Sequence, residues 1–126
     1  MDDVRELALS LPEAEEGTSY GTKAWRVKGK LFARALEDAA SIVVKVDLDA
    51  REGLVAASPD AFVVTPHYRD YPMMIVKLHA VPRGLLNDLL VEAWRRTAPP
   101  KTVAQFDAVA NGKRRPRAPR TRGGTR

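Results

Sequence analysis

The densest group of side chains able to do chemistry lies in a short segment bracketed by two prolines, residues 66–72. It holds the imidazole of His67 together with Tyr68, Arg69 and Tyr71. An imidazole beside two phenols suits a general base, but no serine stands in a nucleophile motif and the chain has no cysteine. We therefore interpret the segment as a contact loop that stacks on a base, touches phosphate or packs on the sheet.

Metal and phosphate-loop chemistry find little support in the sequence. His67 and His79 are the only histidines, and their spacing does not match a zinc motif. The segment Gly17-Thr-Ser-Tyr-Gly-Thr-Lys23 has the wrong spacing for a phosphate-binding loop. We expect no metal, no cofactor and no catalytic residue, and hence a non-enzymatic protein.

A second group of candidate residues is cationic and follows the pattern of a β-hairpin. Residues 23–28 alternate polar with apolar side chains, and residues 31–36 return as a second strand after a glycine turn. The cations of this hairpin are Lys23, Arg26, Lys28, Lys30 and Arg34. Strand alternation places Arg26, Lys28 and Lys30 toward solvent on one side, where they can contact phosphates as a wing. The alternative is an ordinary solvated sheet face.

A third cationic group ends the chain and accounts for its formal charge of +5. The cations after Gly112, with no acid among them, are Lys113, Arg114, Arg115, Arg117, Arg120, Arg122 and Arg126. The remaining 14 lysines and arginines are outnumbered by 16 acids, so the rest of the chain is slightly negative. Because no aliphatic residue larger than alanine follows Gly112, the sequence predicts a domain over residues 1–111 and a disordered basic tail over residues 112–126.

The elements that position these groups are predicted in the order α-β-β-β-α-β-β-α, followed by a further short helix. The predicted helices cover residues 2–11, 47–57, 82–95 and 101–110, and the predicted strands cover residues 23–28, 31–36, 41–46, 61–65 and 73–78. Helices segregated from antiparallel strands are typical of an α+β fold. We predict a two-layer sandwich, a five-stranded antiparallel sheet with helices packed on it, with Trp25 and Trp94 in the core.

Composition and the first residues narrow the class of protein. The acidic, polar start of the chain is unlike a secretory signal, and no apolar run approaches the roughly 20 residues of a membrane helix. At 44% hydrophobic residues the chain has enough apolar side chain for one core without disulfides. We expect a cytoplasmic protein without a membrane partner; the oligomeric state stays open, with a monomer favoured.

Four spaced motifs carry a resemblance to a known family. They are Gly29-Lys-Leu-Phe-Ala33, Pro59-Asp-Ala-Phe62, Thr65-Pro-His-Tyr68 with Tyr71-Pro72, and Glu92-Ala-Trp-Arg95. Together they resemble the MmcQ/YjbR family of small bacterial proteins, over roughly residues 3–106. The resemblance implies an α+β fold with an antiparallel sheet, and a DNA-binding label that rests on likeness to winged nucleic-acid-binding domains. It implies no catalytic residue.

The leading hypothesis is a non-enzymatic, nucleic-acid-associated protein that binds mainly by charge, with DNA favoured over RNA. In this hypothesis the tail supplies affinity, and the hairpin and the loop from His67 to Tyr71 supply orientation. The alternative is a domain that binds a small molecule or a partner protein on the sheet face near Tyr20, Trp25, His67 and Tyr71.

Overall fold

The strands form one antiparallel sheet of six in the computed structural model, which describes residues 1–114. They are β1 (Ala14–Ser19), β2 (Thr22–Val27), β3 (Lys30–Ala35), β4 (Ser41–Lys45), β5 (Phe62–Val63) and β6 (Met73–Lys77). Their order in the sheet is β1-β2-β3-β4-β6-β5, and all neighbours are antiparallel. The predicted α+β class with an antiparallel sheet is confirmed, whereas the predicted count of five strands and the predicted element order are wrong.

The helices are α1 (Asp2–Leu9), α2 (Leu48–Ala57), α3 (Arg83–Arg95) and α4 (Pro100–Arg114), with short 3-10 helices at Pro66–Tyr68 and Leu78–Ala80. Helices α1 and α3 pack on each other and on one face of the sheet. The carboxylate of Asp47 caps α2 by accepting hydrogen bonds from the backbone N–H groups of Asp49 and Ala50, both at 3.1 Å. None of the helices within residues 1–114 is long and apolar enough to cross a membrane.

Strand β1 is the element that the sequence pattern did not predict. All six of its residues pair with β2, from Ala14 opposite Val27 to Ser19 opposite Thr22. Its sequence, Ala-Glu-Glu-Gly-Thr-Ser, lacks apolar alternation because β1 lies at the edge of the sheet and exposes most of its side chains. Edge strands of this kind carry charges that discourage pairing with other chains. Backbone pairing with β2, and not burial, makes this segment a strand.

Two tight turns of the same kind join β1 to β2 and β2 to β3. The central residues are Tyr20-Gly21 in the first turn and Lys28-Gly29 in the second, and all four have positive φ, between 52° and 81°. Positive φ at both central residues defines a type I′ turn, whose twist matches that of the flanking strands. The predicted turn at Gly29 is confirmed.

The two faces of the sheet are covered by different parts of the chain. The helix face carries the main hydrophobic core, in which Trp25, Phe32 and Trp94 are fully buried as predicted for the two tryptophans. A register shift between Trp25 and Arg26 pairs Trp25 with Ala33 and Arg26 with Leu31, which leaves Phe32 without a partner in β2. This bulge lets the adjacent residues Phe32 and Ala33 both join the core. We call the opposite side of the sheet the loop face, because the segment from His67 to Pro72 lies over it.

The last helix crosses the predicted boundary between domain and tail. Helix α4 runs from Pro100 to Arg114, which is four residues beyond its predicted end at residue 110. Gly112, Lys113 and Arg114 therefore belong to this helix. The other cations of the predicted tail, from Arg115 onward, lie outside the described residues.

A pair of glycine substitutions tests the turn assignment. We expect Gly29→Ala to lower the free energy of unfolding by about 1 to 2 kcal/mol, because a side chain at φ +80° is strained although no heavy atom lies within 4 Å of the added Cβ. Gly53→Ala, inside α2 and equally uncrowded, should instead raise it by about 0.5 to 1 kcal/mol. Urea denaturation measures both, and equal effects of the two changes would contradict the turn geometry.

Candidate functional site

Side chains from three separate segments line an open cavity of about 410 Å³ on the loop face, which we call the loop-face pocket. The turn between β1 and β2 contributes one wall, strands β3 and β4 the floor, and the segment before β6 the other wall. The lining residues are Tyr20, Leu31, Arg34, Val43, Lys45, His67, Tyr68, Tyr71, Pro72 and Met73. The pocket thus combines aromatic rings with the basic side chains of Arg34 and Lys45.

Arg34 lies near the middle of the sheet, on the face that forms the floor of the pocket. The residues paired across the sheet in its row are Gly17, Ala24, Arg34, Val43, Ile75 and Val63. Every other member of this row is apolar or glycine, and Arg34 itself is only 9% exposed. A guanidinium in such surroundings loses most of its hydration and needs partners from the protein.

The partners of Arg34 all meet one of its nitrogen atoms. Nη1 donates to the hydroxyl of Thr22 at 2.9 Å and to the carbonyls of Ser19 at 3.4 Å and Ala35 at 3.5 Å. The ring of Tyr20 lies over the guanidinium, 5.3 Å from its centre. The hairpin of β1 and β2 therefore supplies two of the three acceptors, and also the aromatic ring that lies over this buried cation.

A second arginine, Arg51 on α2, holds the opposite wall of the pocket. Its guanidinium donates to four backbone carbonyls at 2.8 to 3.1 Å. These carbonyls belong to Tyr68, Arg69, Tyr71 and Met73. Hydrogen bonds from a charged donor are stronger than neutral ones, so Arg51 fixes the course of the loop without entering the pocket.

The predicted contact loop places most of its side chains at the pocket. The ring of His67 meets the ring of Tyr68 edge-on at 4.7 Å and lies 6.5 Å from that of Tyr71. Tyr71 is 57% exposed at the rim. Arg69 is exposed and does not line the pocket, and neither does His79, which lies in the short 3-10 helix after β6. Within residues 1–114, no three histidine, cysteine or acidic side chains are grouped so as to hold a metal ion.

The four residues predicted for a small-molecule or partner-protein face do not all lie on the same side of the sheet. Tyr20, His67 and Tyr71 line the loop-face pocket, but Trp25 is fully buried on the opposite face of the sheet. Its indole N–H donates to the carboxylate of Glu16 at 3.1 Å. Partial burial opposes ionisation of Glu16, yet the hydrogen bonds from Trp25 and Arg5 lower the pKa of its carboxyl below the usual 4.5. The inclusion of Trp25 in a surface site is therefore wrong.

The three hairpin cations do not form one free surface. Arg26 is half-buried and donates to the carbonyl of Thr18 at 3.2 Å. Lys28 lies 2.5 Å from the carboxylate of Glu13, and this contact raises the pKa of Lys28 and lowers that of Glu13. Lys30 is exposed beside them. Two of the three cations are thus already engaged by the protein.

Sequence reasoning missed the two arginines that organise the pocket, and Lys45 as well. The hairpin pattern groups Arg34 with the other hairpin cations, although a lone charge in the apolar run from Leu31 to Leu36 is a signal for a buried, partnered arginine. Arg51 carries no such signal, because its acceptors are backbone carbonyls 17 to 22 residues away along the chain.

Comparison with known proteins places the pocket inside a shared domain. Residues 9–96 match the model of a protein family described as YjbR. Uncharacterized proteins of Mycobacterium tuberculosis and Mycobacterium bovis are 31% identical to this chain, in alignments that cover 83% of this chain and 93% of theirs. The crystal structure of a Deinococcus radiodurans protein with a DUF419 domain is similar, with a TM-score of 0.66, 26% identity and 75% of each chain covered. All residues that line the pocket fall within the matched range.

Replacing Arg51 tests whether it holds the loop. We expect Arg51→Ala to lower the free energy of unfolding by about 1 to 3 kcal/mol, because the loop carbonyls lose a charged donor. Hydrogen exchange at the backbone amides of residues 68–71 and of Met73 should accelerate selectively. Glu52→Ala, on the neighbouring exposed position of α2, is the matched control and should change neither quantity. Unchanged exchange in the loop of Arg51→Ala would show that other contacts fix it.

Proposed function

This chain belongs to the YjbR family, and from that premise we propose that it is a non-enzymatic binding domain whose loop-face pocket takes a small planar molecule. The observation that carries the proposal is the convergence of aromatic side chains from two distant segments on one open cavity. Tyr20 approaches from the turn between β1 and β2, and Tyr68 and Tyr71 approach from the loop before β6. Such convergence is typical of ligand sites, which are largely preformed.

The size and chemistry of the pocket support this proposal. About 410 Å³ falls within the range of roughly 300 to 1,000 Å³ found for small-molecule sites. Leu31, Val43 and Met73 supply apolar surface, while Arg34, Lys45 and His67 supply a few polar contacts. Tyrosine offers large, rigid contact area at low entropic cost, which favours binding of a flat ring.

The charges of the domain favour the pocket over a nucleic-acid surface on the hairpin. Glu13 and Thr18 engage Lys28 and Arg26, and Lys23 lies 3.8 Å from the carboxylate of Glu16. Residues 1–111 carry more acids than bases. A domain that binds the phosphate backbone through its own surface would be expected to carry a cluster of cations without such partners.

A thermal-shift screen against metabolites and planar fragments tests the proposed function. A ligand that binds only the native state must raise the melting temperature, by several degrees when its concentration exceeds Kd about a hundredfold. The matched variants are Tyr71→Ala at the pocket rim and Val109→Ala, which removes an exposed apolar side chain on α4. We expect hits to stabilise the wild type and Val109→Ala but to lose most of their effect on Tyr71→Ala. A screen without hits, or hits that stabilise Tyr71→Ala equally, would contradict the proposal.

A second candidate function rests on the charge of the chain's last residues. Seven cations follow Gly112 without a single acid, and such a sequence binds polyanions by releasing their counterions. We propose on this ground that the protein associates with nucleic acid mainly by charge, with DNA favoured over RNA. This candidate is independent of the pocket, because it depends on a different part of the chain.

Removing charge from the end of the chain tests the second candidate. The variant is the full-length protein with five arginines replaced by glutamine: Arg115, Arg117, Arg120, Arg122 and Arg126. At low salt we expect its affinity for duplex DNA to fall by about tenfold or more, and the slope of log K against log salt to become shallower by about 0.9 for each phosphate that the variant no longer neutralises. Unchanged binding would exclude the basic end as the cause, and absence of binding by the wild type to DNA or RNA would remove this candidate.

A further inference from the structure

We infer that the loop-face pocket recognises an oxyanion, a carboxylate or a phosphate attached to a planar ring, and that Arg34 receives it through Nε and Nη2. This inference rests on the proposed binding function of the pocket and names the chemical class of its ligand. It follows from three observations on Arg34, on the charge of the pocket lining and on the position of the aromatic rings.

The first observation is that half of the Arg34 guanidinium has no partner within the described part of the chain. The hydrogen bonds of this side chain within residues 1–114 all leave from Nη1, and its nearest carboxylate contact, with Glu37 at 3.6 Å, uses Nη1 as well. Nε and Nη2 form the edge of the guanidinium that suits a carboxylate or phosphate, because two parallel N–H groups meet two oxygens there. The Arg34 side chain is only 10% exposed. Donors of so buried a side chain are nearly always paired, so this edge is suited to an acceptor brought by a ligand.

The second observation is the sign of the charge around the pocket. Arg34 and Lys45 both line it, and none of its lining residues is an aspartate or glutamate. The acid near Arg34, Glu37, has a side chain that is 70% exposed, so water screens its attraction to the guanidinium. The pocket is thus a cationic cavity in a domain whose residues 1–111 carry more acids than bases. An anionic ligand would balance this local charge.

The third observation is the position of the aromatic rings around the guanidinium of Arg34. The ring of Tyr20 covers Arg34 at 5.3 Å, and its backbone is held at φ 54° by the type I′ turn. The rings of Tyr68 and Tyr71 line the pocket from the loop side. A planar group attached to the oxyanion would contact aromatic surface while its charge meets Arg34. This arrangement favours aromatic acids or aryl phosphates over a bare inorganic ion.

The test compares charged and neutral probes of the same shape on the full-length protein. The probes are benzoate, phenyl phosphate, the neutral amide benzamide and inorganic phosphate, and affinities come from chemical-shift titrations. We expect benzoate or phenyl phosphate to bind the wild type at least about tenfold more tightly than benzamide, because only the anions satisfy the guanidinium edge. The stronger of the two anions identifies the headgroup as carboxylate or phosphate. Inorganic phosphate should bind more weakly than phenyl phosphate, since it lacks the ring.

Three variants locate the effect. Arg34→Lys keeps the charge but loses the two-nitrogen edge, and should weaken binding of the preferred anion by about tenfold. Lys45→Gln, at a half-buried position of the pocket, should weaken binding of the preferred anion by about threefold. This variant still tests the inference if Arg34→Lys fails to fold. Lys77→Gln is the matched control, because Lys77 is a half-buried lysine at the end of β6 that does not line the pocket. The affinity of this variant for the preferred anion should stay within about twofold of the wild-type value.

The results that overturn the inference can be told apart from failure of the proposed function. Equal binding of benzamide and benzoate, or anion affinities unchanged by both Arg34→Lys and Lys45→Gln, would exclude an oxyanion site at Arg34. If only neutral compounds bind in the pocket, the inference is wrong while the binding function stands. If neither these probes nor any compound of a wider screen binds there, both are wrong.

Discussion

The guanidinium of Arg34 is buried in the middle of a row of residues that crosses all six strands, and this burial constrains the whole loop face of the sheet. Moving a cation out of water costs several kcal/mol unless hydrogen-bond acceptors replace the water. Thr22 and Ser19 provide two of those acceptors, and they face each other at the end of the hairpin that joins β1 to β2. Strand β1, which buries little apolar surface of its own, thus has a second role besides extending the sheet.

The other half of the pocket depends on a different arginine. The helices α1 and α3 cover one face of the sheet, and the loop before β6 lies over the other. Arg51 holds this loop by donating to the carbonyls of Tyr68, Arg69, Tyr71 and Met73. Because its hydrogen bonds end on backbone atoms, the side chains of His67, Tyr68 and Tyr71 stay available to line the pocket. One arginine therefore faces the cavity and the other shapes its wall.

The sequence predicts the elements that bury apolar side chains with a regular period. The long helix with Trp94 and the three strands from β2 to β4 are of this kind, and the structure has them close to their predicted bounds. The prediction missed β1, because an exposed edge strand has no apolar alternation to detect. The predicted binding face includes Tyr20, His67 and Tyr71, which do line the pocket. Its inclusion of Trp25 is wrong, because sequence alone does not show which sheet face each side chain takes. Arg34 and Arg51 could not be assigned, since their acceptors are set by strand register and loop path.

If Arg34 is the anion-receiving group of a small-molecule pocket, its own N–H signal is the most direct probe of that role. In a ¹H–¹⁵N spectrum that resolves arginine Nε–H groups, the signal that disappears in Arg34→Lys identifies Arg34, and titration with benzoate or phenyl phosphate then follows it. We expect this signal to shift in a saturable manner, while the Nε–H signal of Arg51, whose hydrogen bonds end on the loop backbone, stays in place. An unmoved Arg34 signal, with shifts at other arginines instead, would contradict this role for Arg34.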